Sequence, residues 1–101
     1  MADITWTDQA LADVEAVCLY IARDAPRYAA LFARRVFQTT DRLVAFPRLG
    51  RVVPEIGRDD IREVIVQSYR IIYRLLPDEV EILTVHHGAS PLTDFEPPNE
   101  A

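Results

Sequence analysis

Two β-rich runs joined by a short turn constrain the fold of this chain more than any other feature. The runs are residues 68–74 and 80–87, and Pro77-Asp78 lies between them. Branched and aromatic side chains favour strands, and proline fixes the first dihedral of a tight turn. The sequence therefore predicts a β-hairpin on which the rest of the chain is assembled.

The turn also predicts the register of this hairpin. Pro77 cannot take the positive φ of a I′ turn, and Glu79 does not suit the left-handed position of a three-residue loop. An even-length loop centred on Pro77-Asp78 remains, which pairs Leu75 with Val80. The other predicted pairs are Tyr73 with Ile82, Ile71 with Thr84, Arg74 with Glu81 and Arg70 with Val85.

Strand alternation then divides the hairpin into two faces with different properties. One face is apolar enough to be covered by helices. Its residues are Tyr69, Ile71, Tyr73, Leu75, Val80 and Ile82. The other face mixes cations with aliphatic side chains, which suits a partner-binding surface better than bare solvent. With Arg62 from the preceding strand, the candidate partner-binding residues are Arg62, Arg70, Ile72, Arg74, Leu83, Val85 and His87.

Length and composition limit the architecture to a small globular protein. A chain of 101 residues, half of them hydrophobic, forms one core, so we expect a single domain over residues 1–101 with a flexible tail from about residue 90 to 101. No apolar run approaches the roughly 20 residues that span a membrane, and the first residues do not resemble a secretory signal. We therefore expect a cytoplasmic protein. The lone Cys18 fits a small buried side chain better than a nucleophile.

Charge is distributed unevenly along the chain. All eleven cationic residues are arginines and lie between Arg23 and Arg74, whereas the net charge of the whole chain is −5. This asymmetry indicates either a localised positive surface or salt-bridged helix faces. The overall acidity argues against broad nucleic-acid binding, which needs many phosphate contacts.

The remaining elements follow in chain order. Residues 3–6 have a strand signal, and Thr7 can cap a helix that begins at Asp8. Apolar residues then recur at helical spacing through two helices, the second of which opens at Pro26. Extended pieces are predicted at 52–55 and 61–66, with a turn at Gln67-Ser68. The predicted fold class is α+β, with an N-terminal strand and an αα-hairpin packed on a largely antiparallel sheet of about four strands.

In this arrangement the chain resembles the RelE/ParE superfamily of toxins from bacterial type II toxin-antitoxin systems. The pieces that carry the resemblance are Trp6, the first helix, residues 46–55, 61–64 and 69–74, and Val85-His86. Their order and spacing are similar to the ParE-like, or plasmid-stabilisation, branch. The resemblance implies a toxin that inhibits DNA gyrase by binding and is neutralised by a cognate ParD-like or similar antitoxin. It implies no cofactor, no metal, no membrane contact, and DNA contact only through the antitoxin.

A second activity follows from the other branch of the same superfamily. RelE-like members are ribosome-dependent endoribonucleases that cut messenger RNA, and Glu55 and Arg70 fall where some of them keep a catalytic glutamate and arginine. Those members also use a histidine-tyrosine pair past the last strand, where this chain has Gly88-Ala89. A non-toxic interaction domain of the same fold is the third alternative.

Each candidate residue also has a purely structural interpretation. Glu55 can be solvated or paired with a nearby arginine, and Arg74 can pair with Glu81 across the strands. Arg70 has no obvious partner in the predicted register. His86 and His87 should point to opposite faces, so they cannot chelate one metal ion.

Overall fold

The computed structural model describes residues 2–99, which form one layer of helices on one sheet. Residues 100–101 of the predicted tail therefore lie outside the described part of the chain. The elements are β1 (Asp3–Trp6), α1 (Asp8–Ala22), α2 (Pro26–Ala45), β2 (Arg51–Val52), β3 (Ile61–Val66), β4 (Tyr69–Leu76) and β5 (Glu79–His87).

Both helices begin where the sequence predicts. Thr7 is the N-cap of α1, and its hydroxyl accepts a hydrogen bond from the backbone N–H of Ala10 at 3.1 Å. Pro26 occupies the first turn of α2, where its missing N–H costs no helical bond. None of the helices within residues 2–99 is long and apolar enough to cross a lipid bilayer.

The sheet has five strands in the order β1-β5-β4-β3-β2. All neighbours are antiparallel except β1 and β5, which are parallel. The predicted α+β class, N-terminal strand and αα-hairpin are confirmed. The parallel pairing of β1 and the two-residue β2 make the sheet mixed and extend it to five strands.

The central hairpin has the predicted register near its turn and a different one farther away. Leu75 pairs with Val80, and the predicted pairs of Tyr73 with Ile82 and Arg74 with Glu81 are also present. A β-bulge at Leu83 then shifts the ladder by one residue. The predicted pairs of Ile71 with Thr84 and of Arg70 with Val85 are therefore wrong. Beyond the bulge the pairs are Ile72 with Thr84, Ile71 with Val85, Arg70 with His86 and Tyr69 with His87.

The main core lies between the helices and one face of the sheet, which we call the helix-covered face. Tyr73 on this face is fully buried together with Ile71 and Ile82, as predicted. Its hydroxyl donates to the Pro47 carbonyl at 2.8 Å and accepts from the Gly50 N–H at 2.9 Å. A Cβ at Gly50 would lie 2.3 Å from the Glu63 carbonyl oxygen, so only glycine fits there. The buried members of this core are Ala10, Val14, Phe32, Val36, Leu43, Val64, Val66, Ile71, Tyr73, Val80, Ile82 and Val85.

A second, smaller core lies on the opposite face, which we call the tail-covered face. Its fully packed residues are Val53, Ile61, Ile72 and Leu83. Leu92 and Phe95 pack against it, although residues 89–99 contain no helix or strand. Two arginines hold the end of this segment: Arg58 Nη1 donates to the Pro98 carbonyl at 2.6 Å, and Arg74 Nη2 to the Asn99 carbonyl at 3.0 Å. The sequence did not predict this packing.

Candidate functional site

Four charged side chains form a cluster on the tail-covered face, which we call the arginine–glutamate cluster. Its members are Arg51, Glu55, Glu63 and Arg70. Glu63 lies opposite Arg51 in the β2–β3 ladder, and Arg70 lies diagonally across β3–β4 because its direct partner is Ile65. Glu55 comes from the loop between β2 and β3. Three strands and one loop therefore bring these groups together.

Hydrogen bonds join the cluster into a chain of alternating charge. Arg70 donates from Nε to Glu63 at 2.6 Å, and from Nη1 and Nη2 to both oxygens of Glu55 at 2.6 and 2.7 Å. Arg51 Nε donates to the second oxygen of Glu63 at 2.7 Å. The Glu63 side chain is fully buried, and that of Arg70 is 7% exposed. Such fork-shaped guanidinium–carboxylate contacts fix orientation as well as charge.

The ion pair between Glu55 and Arg70 changes the acidity of both groups. The hydrogen bond from Arg70 lowers the pKa of Glu55 to about 2, and the bond to Glu55 raises the pKa of Arg70. A general base works best when its pKa lies near the operating pH. Glu55 in this state is a firmly ionised hydrogen-bond acceptor and is a poor proton acceptor at neutral pH.

An open pocket of about 380 Å³ adjoins the cluster. Ile65, Gly88 and the cluster residues Arg51, Glu55 and Arg70 line it, together with Pro54. The Ile65 side chain is 56% exposed there. The pocket therefore combines an exposed aliphatic side chain with two guanidinium groups, both of which already bind a carboxylate of the cluster.

The β-bulge at Leu83 determines on which face of the sheet the predicted partner-binding residues of β5 lie. Arg70, Ile72, Arg74 and Leu83 share the tail-covered face, as predicted. Val85 and His87 were predicted on that face but lie on the helix-covered one, where Val85 joins the main core and His87 packs against the Tyr69 ring. Arg62 also lies there, opposite Tyr73. Arg62 donates to the Gly50 carbonyl at 2.9 Å and to the Asp59 carboxylate at 2.7 Å.

The tail-covered face is less open than predicted. Ile72 is fully buried, and Leu83 is 8% exposed. Arg74 faces Glu81 at 3.9 Å, as the register predicts, but its Nη2 also bonds the tail. Arg70, predicted to lack a partner, is the most heavily bonded residue of the cluster. Whether these residues bind a partner stays a prediction.

Two side chains from outside the central hairpin, those of Asp13 and Thr7, bond to β5 beside the bulge. Asp13 Oδ2 accepts from the Thr84 hydroxyl at 2.5 Å and from the Val85 N–H at 3.0 Å. The Thr7 hydroxyl lies 2.9 Å from the Ile82 carbonyl and 3.0 Å from that of Leu83. They supply partners to β5 where β1 ends, beside the bulge. Thr7 was predicted only as the N-cap of α1, and Asp13 was not distinguished from the other polar residues of this helix.

The histidines and acids do not form a metal site in the described part of the chain. His86 and His87 point to opposite faces, as predicted, and His86 Nε2 lies 3.1 Å from the Ser90 carbonyl. Among residues 2–99, no three His, Cys, Asp or Glu side chains are grouped so that they could hold a metal ion. Cys18 is half-buried within the helical hairpin, where burial raises the pKa of its thiol.

The outer surface of the helical hairpin carries several exposed apolar side chains. Leu19, Tyr20 and Tyr28, near the tip of the hairpin, are 63%, 66% and 67% exposed. Leu11 and Phe37 are also exposed. Large exposed apolar side chains near one end of the hairpin are candidates for contact with a partner.

Comparisons with known proteins agree with this architecture. Residues 4–91 match the model of a family described as "ParE toxin of type II toxin-antitoxin system, parDE". Toxin RelE2 of Caulobacter vibrioides is 34% identical over 89 residues, which cover 88% of this chain and 98% of that protein. Putative toxin Y4kP of Sinorhizobium fredii is 38% identical over 88 residues, covering 84% and 86%.

Two solved structures share the fold. The chromosomal ParDE system from P. aeruginosa superposes with a TM-score of 0.72 at 19% identity, over 86% of this chain and 96% of that one. The toxin-antitoxin complex RelBE2 from Mycobacterium tuberculosis gives a TM-score of 0.54 at 21% identity, over 85% and 96%. At these identities the likeness concerns the fold alone. From the family match and the relatives above 30% identity, we conclude that this chain belongs to the ParE toxin family of type II toxin-antitoxin systems, within the RelE/ParE superfamily.

Proposed function

We propose that this toxin inhibits DNA gyrase by binding to it and is neutralised by a cognate, ParD-like antitoxin. The observation that carries the proposal is the closed ion pair between Glu55 and Arg70. A metal-free ribonuclease needs a base for the 2′-hydroxyl and free cations for the phosphate. In this chain the candidate base is held ionised with a pKa of about 2, and it occupies the candidate phosphate clamp.

The region after β5 supports the same conclusion. Gly88 and Ala89 stand where a histidine-tyrosine pair would serve a nuclease of the superfamily. His86 pairs with Arg70 across the strands and carries the imidazole on the tail-covered face, but its Nε2 contacts the Ser90 carbonyl. Leaving-group protonation therefore has no well-placed acid among these residues, which favours action by binding.

The antitoxin interface that we propose includes the outer surface of the helical hairpin. Leu19, Tyr20 and Tyr28 would be desolvated there by an amphipathic partner segment, and large aromatic side chains are typical anchors of such interfaces. The P. aeruginosa structure of this fold is a ParDE toxin-antitoxin system and the M. tuberculosis structure is the toxin-antitoxin complex RelBE2, which supports an antitoxin partner. Hydrogen exchange with and without antitoxin tests this part. Unchanged protection across residues 8–45 and 61–87 would contradict it.

A ribosome-dependent ribonuclease is the alternative function. Two observations favour it: a relative at 34% identity is named toxin RelE2, and the fold brings Glu55 and Arg70 into contact. On this alternative, ribosome binding would open the ion pair and free both groups for catalysis. The two functions predict different cellular lesions.

The deciding experiment compares those lesions after induction of the toxin. Gyrase inhibition should produce an SOS response and filamentation, and the purified protein should block supercoiling by gyrase. A ribonuclease should instead stop translation at once and leave cut messages, and the purified protein should cleave ribosome-bound messenger RNA. We expect the first pattern.

One variant separates the mechanisms further. Glu55→Ala should not reduce growth inhibition if the toxin acts by binding. If Glu55 is the catalytic base, the same change should reduce cleavage by about a hundredfold or more. Glu15→Ala, which removes an exposed carboxylate from α1, is the matched control.

A further inference from the structure

Strand β3 has a backbone edge that the short β2 leaves uncovered. β2 pairs only with Arg62 and Glu63. Val66 and Tyr69 flank the two-residue turn and bond to each other, so hydrogen-bond alternation directs the N–H and C=O of Ile65 away from β4. No hydrogen bond from elsewhere in residues 2–99 reaches these two groups. An unprotected edge with a branched, exposed side chain is what proteins normally avoid.

The guanidinium of Arg70 is fixed beside this edge. Ile65 and Arg70 are direct cross-strand neighbours. The buried Glu63 contacts both Nε and Nη2 of Arg70 at 2.6 Å, while Nη1 and Nη2 also donate to the carboxylate of Glu55. Glu63, a residue of strand β3, therefore orients the Arg70 guanidinium independently of Glu55.

Glu55 is held less firmly than the arginine it contacts. Its side chain is 43% exposed, against 7% for Arg70, and it belongs to a loop outside the strands. Removing Glu55 leaves Arg51 and Arg70 with Glu63 alone, so the cluster changes from neutral to a charge of +1. Without Glu55, the Arg70 fork would lack this planar carboxylate and the cluster would have an unbalanced positive charge.

The pocket has space for a carboxylate that arrives from another chain. It has a volume of about 380 Å³, and Gly88 at its rim carries no side chain that would shield Arg70. A Cβ at Gly88 would lie 3.1 Å from the Ser68 carbonyl oxygen, so the fold itself disfavours a larger residue there. Ile65 offers an apolar contact beside the charged one.

We propose that Ile65, Arg70 and Arg51 form a docking site for an extended acidic peptide segment of a protein partner. The segment adds a strand to the β3 edge at Ile65 and places one Asp or Glu carboxylate on Arg70, displacing Glu55. Main-chain hydrogen bonds supply affinity in this mode of recognition, and the carboxylate supplies register and selectivity. In the absence of the partner, the carboxylate of Glu55 occupies this position on Arg70.

A protein segment fits this site better than nucleic acid. The edge offers one backbone donor and one acceptor beside an exposed isoleucine, groups that a peptide strand satisfies and a phosphodiester does not. The chain also has a net charge of −5, which opposes binding to a polyanion. The inference concerns a binding site and is independent of the gyrase proposal.

The test uses the full-length protein and a capped nonapeptide of alternating threonine and valine with one central glutamate. Binding is followed by the amide chemical shift of Ile65. We expect Glu55→Ala to bind this peptide about tenfold more tightly than the wild type does, because the internal competitor is gone. Glu15→Ala, which leaves the site intact, should bind like the wild type. A peptide with glutamine in place of glutamate should bind Glu55→Ala no more tightly than it binds the wild type.

Two further probes keep the proposal falsifiable. A peptide N-methylated at the groups that face β3 should not bind, since it cannot add a strand. Equal affinity for the glutamate and glutamine peptides, or a shift map that omits Ile65, would overturn the proposal. So would inorganic phosphate or a short RNA binding to Glu55→Ala more tightly than the glutamate peptide, because the site would then recognise anions without the edge.

Discussion

Asp13 of helix α1 accepts a hydrogen bond from the backbone N–H of Val85 in strand β5, with 3.0 Å between Oδ2 and N. The same oxygen accepts from the Thr84 hydroxyl. Both contacts lie immediately after the bulged Leu83. Together with the Thr7 hydroxyl, this carboxylate supports the shifted register of the hairpin beyond the bulge, and with it the face on which Val85 lies.

Removal of the Asp13 carboxylate should destabilise the fold. Asp13→Ala leaves the Val85 N–H and the Thr84 hydroxyl without this partner, and we expect a loss of about 1 to 3 kcal/mol in the free energy of unfolding. Urea denaturation measures it. Glu15→Ala, two residues along the same helix, should change stability by less than about 0.5 kcal/mol. Equal effects of the two changes would contradict this role for Asp13.

Tyr73 contributes both volume and hydrogen bonds to the core. Tyr73→Ala should cost about 3 kcal/mol or more because it empties a fully buried aromatic site. Tyr73→Phe keeps the ring but leaves the Pro47 carbonyl and the Gly50 N–H unpaired, which should cost about 1 to 3 kcal/mol. Denaturant unfolding of both variants checks the values. A loss below about 1 kcal/mol for Tyr73→Ala would be inconsistent with the observed packing.

Loss of the Arg70 side chain should lower the stability of the fold, apart from any effect on partner binding. Arg70→Ala leaves the buried Glu63 with only Arg51, and breaking one side of a buried ion pair costs about 3 to 5 kcal/mol. Arg51→Ala removes a side chain that is 65% exposed, so it should cost about 1 kcal/mol or less. Circular dichroism melts of the two variants give the comparison. Toxicity lost in Arg70→Ala is therefore informative only when the folded fraction is measured in parallel.

The Glu55–Arg70 pair predicts a specific loss of stability in acid. The pKa of Glu55 is about 2 in the folded protein, below its ordinary value of 4.5. A lowered pKa stabilises the folded state above pH 4.5, and this contribution is lost as the pH falls from 4.5 towards 2. Glu55→Gln should flatten the pH dependence of the urea midpoint in that window. Carbon NMR of the Glu55 carboxyl provides a direct check, and a midpoint near 4.5 would refute the prediction.

Local sequence signals were sufficient for much of the central hairpin. Pro77-Asp78 restricts the turn, so the pairs next to it, and the burial of Tyr73, could be predicted. The bulge could not be predicted, because its partners Thr7 and Asp13 are more than 65 residues away from Leu83 in the chain and act through tertiary contact. The positions of Val85 and His87 were wrong for this reason alone.

The arginine–glutamate cluster was partly predictable. A two-residue turn at Gln67-Ser68 sets Ile65 opposite Arg70 and so places Glu63 diagonally beside it, a signal present in the sequence. The second partner, Glu55, comes from a loop whose path depends on the packing of Val53 and Ile56. The cover formed by Leu92 and Phe95 has no periodicity that would reveal it.

The parallel pairing of β1 with β5 has a consequence for the order in which the chain folds. Asp3 pairs with Glu79, and Trp6 with Ile82, so the first strand made has no sheet neighbour until the last one is synthesised. Closing a loop over such a separation costs entropy, and domains with many such long-range pairings fold slowly. During synthesis, the N-terminal strand and both helices therefore lack the sheet surface that the C-terminal hairpin supplies until that hairpin has left the ribosome. A truncated product that stops before residue 79 therefore cannot complete the sheet.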